Sequence, residues 1–394
     1  EDLGGYHFFR KVRGLLEALH GCAKHPNRQL HYDDYAALVL FYFFNPVITS
    51  LRGMQAVSDM VSVRRRLGIR RVSLGSLSES VRLFDPELLR EVFEALAARA
   101  PSRPHEARLD DLQQVLTVAD STILRALPRM TWAVWLRDTD RGARAHVQFE
   151  VLRETAVRVE ITPGKTPEGE RLRANLEAGR LYVLDRGLNG LDLLEAIVEA
   201  GSSFVVRLHE NAVYEVLEEK ELTAEARRAG VEWDRLVRLG HNEQMRSRLS
   251  VPVRLVKVQV PRGLGYQRKP VDSKKTFRRQ PHGAVDLIVA TSRVDLEPDV
   301  LALIYRHRWK VELFFRMLKC LMGCRHLVSE SVEGVSIQVY CALIAALLLA
   351  EHTDRRPNKR AFEIVMMYLA GWCGAGEVMS LLEKYAPKKE AKAS

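Results

Sequence analysis

The chain is 394 residues long and 47 % hydrophobic, with 60 Lys+Arg against 50 Asp+Glu and a formal charge of +10. That length and hydrophobic fraction belong to an ordinary globular protein with room for two or three domains and a substantial core. The cationic excess favours a polyanionic partner, nucleic acid first, while the five cysteines exclude a disulfide framework and point to a reducing, cytoplasmic compartment.

Residues 1–97 read as an all-α domain. His7–His20 carries Phe8, Phe9, Val12, Leu15, Leu16 and Leu19 as an apolar face. Tyr32–Phe44 is a strongly apolar helix closed by Asn45-Pro46, and a third helix runs from Leu51 toward Arg66. Ser76–Phe84 and Pro86–Ala97 make a further pair, with Asp85 as the N-cap and Pro86 in the first turn. Arg64, Arg65, Arg66, Arg70 and Arg71 cluster between them, a composition suited to DNA contact, although no helix-turn-helix pattern names a recognition helix. Residues 98–108, rich in Ala, Pro and Arg without periodicity, read as a linker.

From residue 109 the texture changes to strands alternating with helices. Gln113–Ala119 is a strand ending at Asp120-Ser121-Thr122, and His146–Leu152 and Thr155–Ile161 are two more. Pro167–Ala178 is a helix closed by Gly179, and Leu181–Leu184 is a short apolar strand ending at Asp185-Arg186-Gly187. Leu191–Ala200 is the next helix and Ser203–Leu208 the next strand. Three strands, helix, strand, helix, strand make an α/β sheet of mixed direction, an order that resembles the RNase H-like fold.

Residues 209–284 interrupt this order as a mostly β insertion, with Val251–Val260 an alternating strand. Its basic stretch interleaves Tyr266 and Phe277 with Arg268, Lys269, Lys274, Lys275, Arg278 and Arg279, a composition suited to tracking a backbone and stacking a base. The sheet texture resumes at Val285–Ala290, and residues 285–334 complete the core. Residues 335–394 form a C-terminal helical region, with its last helical stretch at Phe362–Tyr385. Within it Val335–Ala350 is the most apolar run, but Ser336, Gln338 and Tyr340 interrupt it. It reads as a buried helix, too short and mixed to span a bilayer, so no membrane partner is expected.

Ile304–Leu321 reads as a single amphipathic helix. Tyr305, Arg308, Glu312 and Lys319 stand at spacings that, at roughly 100° per residue, place them in a sector about 60° wide, with Trp309 and Arg316 close to it. Val311, Phe314, Leu318 and Leu321 form the opposite, core-facing side. Charge pattern alone fits a solvated face with an i,i+4 pair such as Arg308–Glu312. Yet Tyr-x2-Arg-x3-Glu-x6-Lys resembles the YREK signature of bacterial insertion-sequence DDE transposases of the IS-four-type cut-and-paste family. Asp120-Ser121-Thr122 is similar to that family's first-aspartate motif. Leu184-Asp185-Arg186-Gly187 is similar to its second, with Leu188 standing where an aromatic is frequent.

The resemblance implies an RNase H-like core in which Asp120, Asp185 and Glu312 form a catalytic triad holding Mg²⁺, or Mn²⁺ in its place, through oxygen ligands. In a two-metal displacement one ion activates the attacking oxygen and the other steadies the leaving oxygen. Arg308 and Lys319 would clamp phosphates, with Arg316 a weaker candidate, and Tyr305 would position a terminal phosphate. Trp309 reads either as a base-stacking residue or as a half-buried helix aromatic. The implied partners are double-stranded DNA, both the element's inverted-repeat ends and a target, and a homodimer assembled on that DNA at the bacterial nucleoid. Two other readings are a structure-selective nuclease on the same fold and a non-catalytic, transposase-derived DNA-binding regulator; the presence of all three carboxylates argues against the regulator.

Other patterns carry less. Cys320-x3-Cys324-x-His326 lacks a second zinc-ligand pair, as does the group His20, Cys22 and His25. Pro163-Gly164-Lys165-Thr166 resembles the end of a phosphate loop, but Val159 replaces the required first glycine, and it reads as a turn before a helix.

Overall fold

The computed structural model describes residues 13–22, 29–45, 47–125, 132–133, 135–137, 140–261, 284–323, 329–353, 359–369 and 372–385. Several expectations lie outside the described residues: the start of the first helix, the basic stretch 262–279, the positions of His25, Cys324 and His326, and the side chains of Cys320 and Leu321.

Six helices open the described chain: α1 (Arg13–Glu17), α2 (Tyr32–Phe44), α3 (Leu51–Asp59), α4 (Val61–Leu67), α5 (Leu74–Glu79) and α6 (Pro86–Ala98). Polar caps set several of their starts: Ser50 accepts from the Gly53 amide, Ser73 from Ser76, and Asp85 from Glu87 with Pro86 in the first turn. The helix expected from Leu51 toward Arg66 is two helices. Met60, at φ −76° and ψ 121°, is extended and separates them. Gly68 ends α4 at φ +66°, a left-handed conformation that glycine adopts without a Cβ penalty.

The sheet follows. Its first part is β1 (Val115–Arg125), β2 (Trp135–Arg137), β3 (Asp140–Glu150), β4 (Thr155–Pro163), α7 (Glu168–Ala174), β5 (Arg180–Leu184), α8 (Leu191–Glu199) and β6 (Ser203–Leu208). Strands β1, β5 and β6 run parallel to one another, and β3 and β4 fold back antiparallel. Next come β7 (Tyr214–Lys220), α9 (Ala224–Arg228), β8 (Val231–Leu239), α10 (Glu243–Arg246), β9 (Val253–Pro261) and β10 (Ala284–Thr291). The strands of the expected insertion join the same sheet: β10 pairs with β6 on one side and β9 on the other, giving the order β2-β3-β1-β5-β6-β10-β9-β8-β7, with β4 on β3.

Two boundaries differ from the sequence expectation. The expected end of β1 is Ala119, but the strand runs on to Arg125, because antiparallel pairing with β3 continues after parallel pairing with β5 stops. The helix expected to reach Ala178 ends at Ala174, and Gly179, at φ +76°, instead turns the chain into β5. Pro163–Thr166 is a turn leading to α7, as expected.

The chain closes with α11 (Pro298–Arg306), α12 (Trp309–Gly323), α13 (Val332–Thr353), α14 (Lys359–Leu369) and α15 (Ala375–Lys384). Ile304–Leu321 is therefore not one helix, and the last helical stretch is two. α13 has 22 residues, so length alone would let it cross a bilayer, which corrects the expectation that it is too short. It is a core helix nonetheless: it packs on α2 and α6, Tyr340 stacks on Phe93, and the Tyr340 hydroxyl donates to Val159 O at 3.0 Å. α2 is apolar nearly all round for the same reason.

Helices cover both faces of the sheet. Leu181, Val183 and Val205 join the core shared with α2, α6, α12 and α13, whereas Tyr182, Leu184, Phe204 and Val206 join the core under α8. Burial on both faces explains why β5 and β6 read as continuous apolar runs.

Candidate active site

Strand register brings two acids side by side. Ala119 of β1 pairs with Leu184 of the parallel β5, so the next residues, Asp120 and Asp185, stand side by side at the same level. Val118 and Val183 point into the core shared with α12. Side chains alternate along a strand, so Asp120 and Asp185 point to that same side. Asp120 lies in the middle of β1 and not past its end, as the sequence reading has it; what ends there is the parallel pairing.

The third acid arrives from α12, across a break in the helical path. His307 and Arg308 form a turn, with bonds from Arg308 N to Tyr305 O and from Lys310 N to His307 O that are one residue shorter than α-helical spacing. Neither Pro nor Gly stands there; both side chains are buried and bound to other elements. His307 meets Glu106 at 3.1 Å, and Arg308 meets Asp120. Residues 98–108 are accordingly held to the fold: Glu106 grips the turn, and Arg108 bonds Asp299. Phe314 packs against Phe149 at 5.6 Å between centroids, seating α12 on β3.

Around the break the side chains converge. Arg308 Nη1 donates to Asp120 Oδ2 at 3.3 Å and Nη2 to Glu312 Oε1 at 2.6 Å. The Tyr305 hydroxyl donates to Asp185 Oδ1 at 3.4 Å. Five of the eight residues named from sequence thus come together: Asp120, Asp185, Tyr305, Arg308 and Glu312. Trp309, Arg316 and Lys319 stand on the exposed side of α12. Leu188 is buried in the core under α8.

Burial pushes the Asp120 carboxyl up to about 7; Arg308 and the Ser121 amide oppose this, and Glu168 and Asp185 add to it. For Arg308 burial favours the neutral form, but Tyr305, Asp185, Asp120 and Glu312 outweigh it and hold the guanidinium protonated. Buried His307 is pushed down to about 4, with Lys310 reinforcing burial, and is neutral at pH 7.

Sequence reading missed Glu168. It opens α7, and its carboxyl, raised by burial and by Asp185, shares a cavity of about 30 Å³ with Asp120. Arg144 donates to Ser121 Oγ at 2.9 Å and lies 4.0 Å from Glu168. Nothing in the local pattern of Glu168 separates it from an ordinary first-turn acid.

Hard carboxylate oxygens from three separate elements are the donor type that Mg²⁺ and Mn²⁺ take. Among the described residues no three such groups already stand at metal-binding spacing, and the guanidinium of Arg308 lies between two of the acids. The donor set fits a divalent ion in kind, provided Arg308 moves.

The family model described as a transposase DDE domain matches residues 111–348. This chain belongs to that family. Three relatives are described as transposases. Transposase y4zB of Sinorhizobium fredii is 25 % identical over 239 residues, which span 60 % of each chain. The transposase for insertion sequence element IS5377 of Geobacillus stearothermophilus is 26 % identical over 62 % of this chain and 59 % of its own. The transposase for insertion sequence element IS4SA of Synechocystis is 22 % identical over 80 % of this chain and 83 % of its own. The match thus spans about three fifths of the length of the first two relatives. A solved piggyBac transposase synaptic complex with hairpin DNA covers 98 % of the chain at 11 % identity and a TM-score of 0.38, a likeness too loose to build on. Enzymes of this family generally use divalent metals.

Proposed function

We propose that this transposase cuts and joins DNA at the inverted-repeat ends of an insertion sequence, with Asp120, Asp185 and Glu312 as its catalytic acids. The observation that carries the reading is the register of Ala119 on Leu184, which sets two aspartates together under the helix that supplies Glu312. The strand order β4-β3-β1-β5-β6 supports an RNase H-like core.

Asp120, Asp185 and Glu312 would hold Mg²⁺ or Mn²⁺, which when bound supplies Lewis-acid activation of the attacking oxygen and charge stabilisation at the leaving oxygen. The chain needs no covalent nucleophile. Water attacks a phosphodiester phosphorus, the 3′ oxygen leaves, and the freed 3′-hydroxyl attacks a second phosphodiester in turn, displacing the 3′ oxygen there. Arg308 and, from the exposed side of α12, Lys319 and Arg316 would grip phosphates beside the cut. Trp309 would meet a base. The Tyr305 hydroxyl orients Asp185. The arginines of α4 and the turn after it would contact the ends away from the cut, and two copies would act together because two ends are processed.

Cleavage of end-bearing DNA in Mg²⁺ tests this. Glu312→Gln should lower the rate by about a thousandfold or more while DNA binding persists, the loss expected when several kcal/mol of metal-supplied stabilisation is removed. Cleavage at the parental rate would rule out the assignment.

A further inference from the structure

We propose that Arg308 is an internal counter-ion that a DNA phosphate must draw away before a divalent ion can occupy the acids, so that DNA and metal bind cooperatively. This rests on the reading of Asp120, Asp185 and Glu312 as metal ligands.

The guanidinium bonds two of those three acids, Asp120 and Glu312, and so engages oxygens that an incoming ion would use. Its fixed positive charge, on a side chain only 11 % exposed, also repels a second cation at short range. The contact is not a saturated one. Arg308 Nε is buried and has no hydrogen-bond partner among the described residues, and the longer of its two carboxylate bonds is 3.3 Å. A guanidinium fork is matched to two oxygens of one anion, and a phosphate offers that pair, including a partner for Nε. Two carboxylates on different elements do not. Arg308 also lies in the turn between α11 and α12, where a side-chain swing disturbs neither helical ladder. Transfer of Arg308 to a phosphate frees the Asp120 and Glu312 oxygens and removes the repelling charge. By linkage, whatever DNA does for metal affinity, metal does equally for DNA affinity.

The test is Mn²⁺ binding to the full chain, read from the paramagnetic signal of the free ion, with and without a short 5′-phosphorylated duplex. The parent should bind Mn²⁺ roughly tenfold more tightly with the duplex than without it. Arg308→Met should bind roughly tenfold more tightly than the parent without DNA, and should gain little from the duplex. An Arg308→Met affinity no higher than the parent's, or a parental affinity unmoved by the duplex, overturns the exchange. If Arg308→Met does not fold, Arg308→Lys, which keeps the charge and loses the fork, should show a smaller tightening; unchanged affinity there overturns it equally. Asp120→Asn separates the two claims: if it retains parental Mn²⁺ binding, the metal-ligand reading itself has failed.

Discussion

Two buried arginines in this chain hold acids in opposite ways. Arg254, on β9, meets Asp234 of β8 through Nε at 2.9 Å and Nη2 at 2.5 Å, and its Nη1 donates to the carbonyls of Val294 and Leu296. Both side chains are nearly inaccessible, at 7 % and 1 % exposed, and every nitrogen of the guanidinium has a partner. Arg308 is divided between acids on two elements and keeps Nε without a partner among the described residues. The first arrangement fastens two strands to the loop before α11. The second stores a donor that the fold does not use. Similar burial therefore does not mean similar purpose.

The sharpest way to break the comparison is Arg254→Met, which leaves Asp234 as an uncompensated buried charge. It should cost about 3–5 kcal/mol in urea unfolding. A cost under about 1 kcal/mol would mean that Arg254 is no brace. Replacing both partners, Asp234→Leu with Arg254→Leu, should recover most of that loss, because both desolvation penalties vanish while the carbonyls of Val294 and Leu296 lose their donor.

At the site the sign is reversed. The Asp120 carboxyl sits at about 7 in the fold against an ordinary 3.8, so the folded chain binds more protons between these values. Its contribution to stability is fully present below about pH 4 and is lost as pH rises through about 7. Asp120→Asn, measured in chelator, should therefore leave stability unchanged near pH 3 and raise it at pH 8 by on the order of 2–4 kcal/mol. Destabilisation at pH 8 would show that Arg308 more than compensates the buried charge. The smallest effect belongs to an exposed reference pair, Arg71–Asp59, with side chains 71 % and 41 % exposed. Arg71→Ala should move stability by less than about 1 kcal/mol, and less still in high salt.

Much of this was legible in the amino-acid order, and the rest was lost for identifiable reasons. Tyr32–Phe44 and Ser203–Leu208 lie where apolar patterning put them, because each is bounded by local signals. The far end of β1 was missed because residues 120–125 are held by pairing with β3, a partner that begins only at Asp140. The break at His307–Arg308 was missed because the residues there are acceptable in a helix, and their partners in the turn include Glu106 and Asp120, both distant in sequence. Glu168 was passed over for the same kind of reason.

Taken alone, the order of residues determined where many of the helices and core strands lie, and which acids, cations and tyrosine stand at suggestive spacings, since both are written in short-range periodicity. Tertiary structure alone decided that Asp120 stands beside Asp185, that Arg308 lies between Asp120 and Glu312, and that the strands after residue 209 extend the same sheet. Those outcomes depend on strand register and on the exclusion of water from charged groups, and both arise only when distant parts of the chain meet.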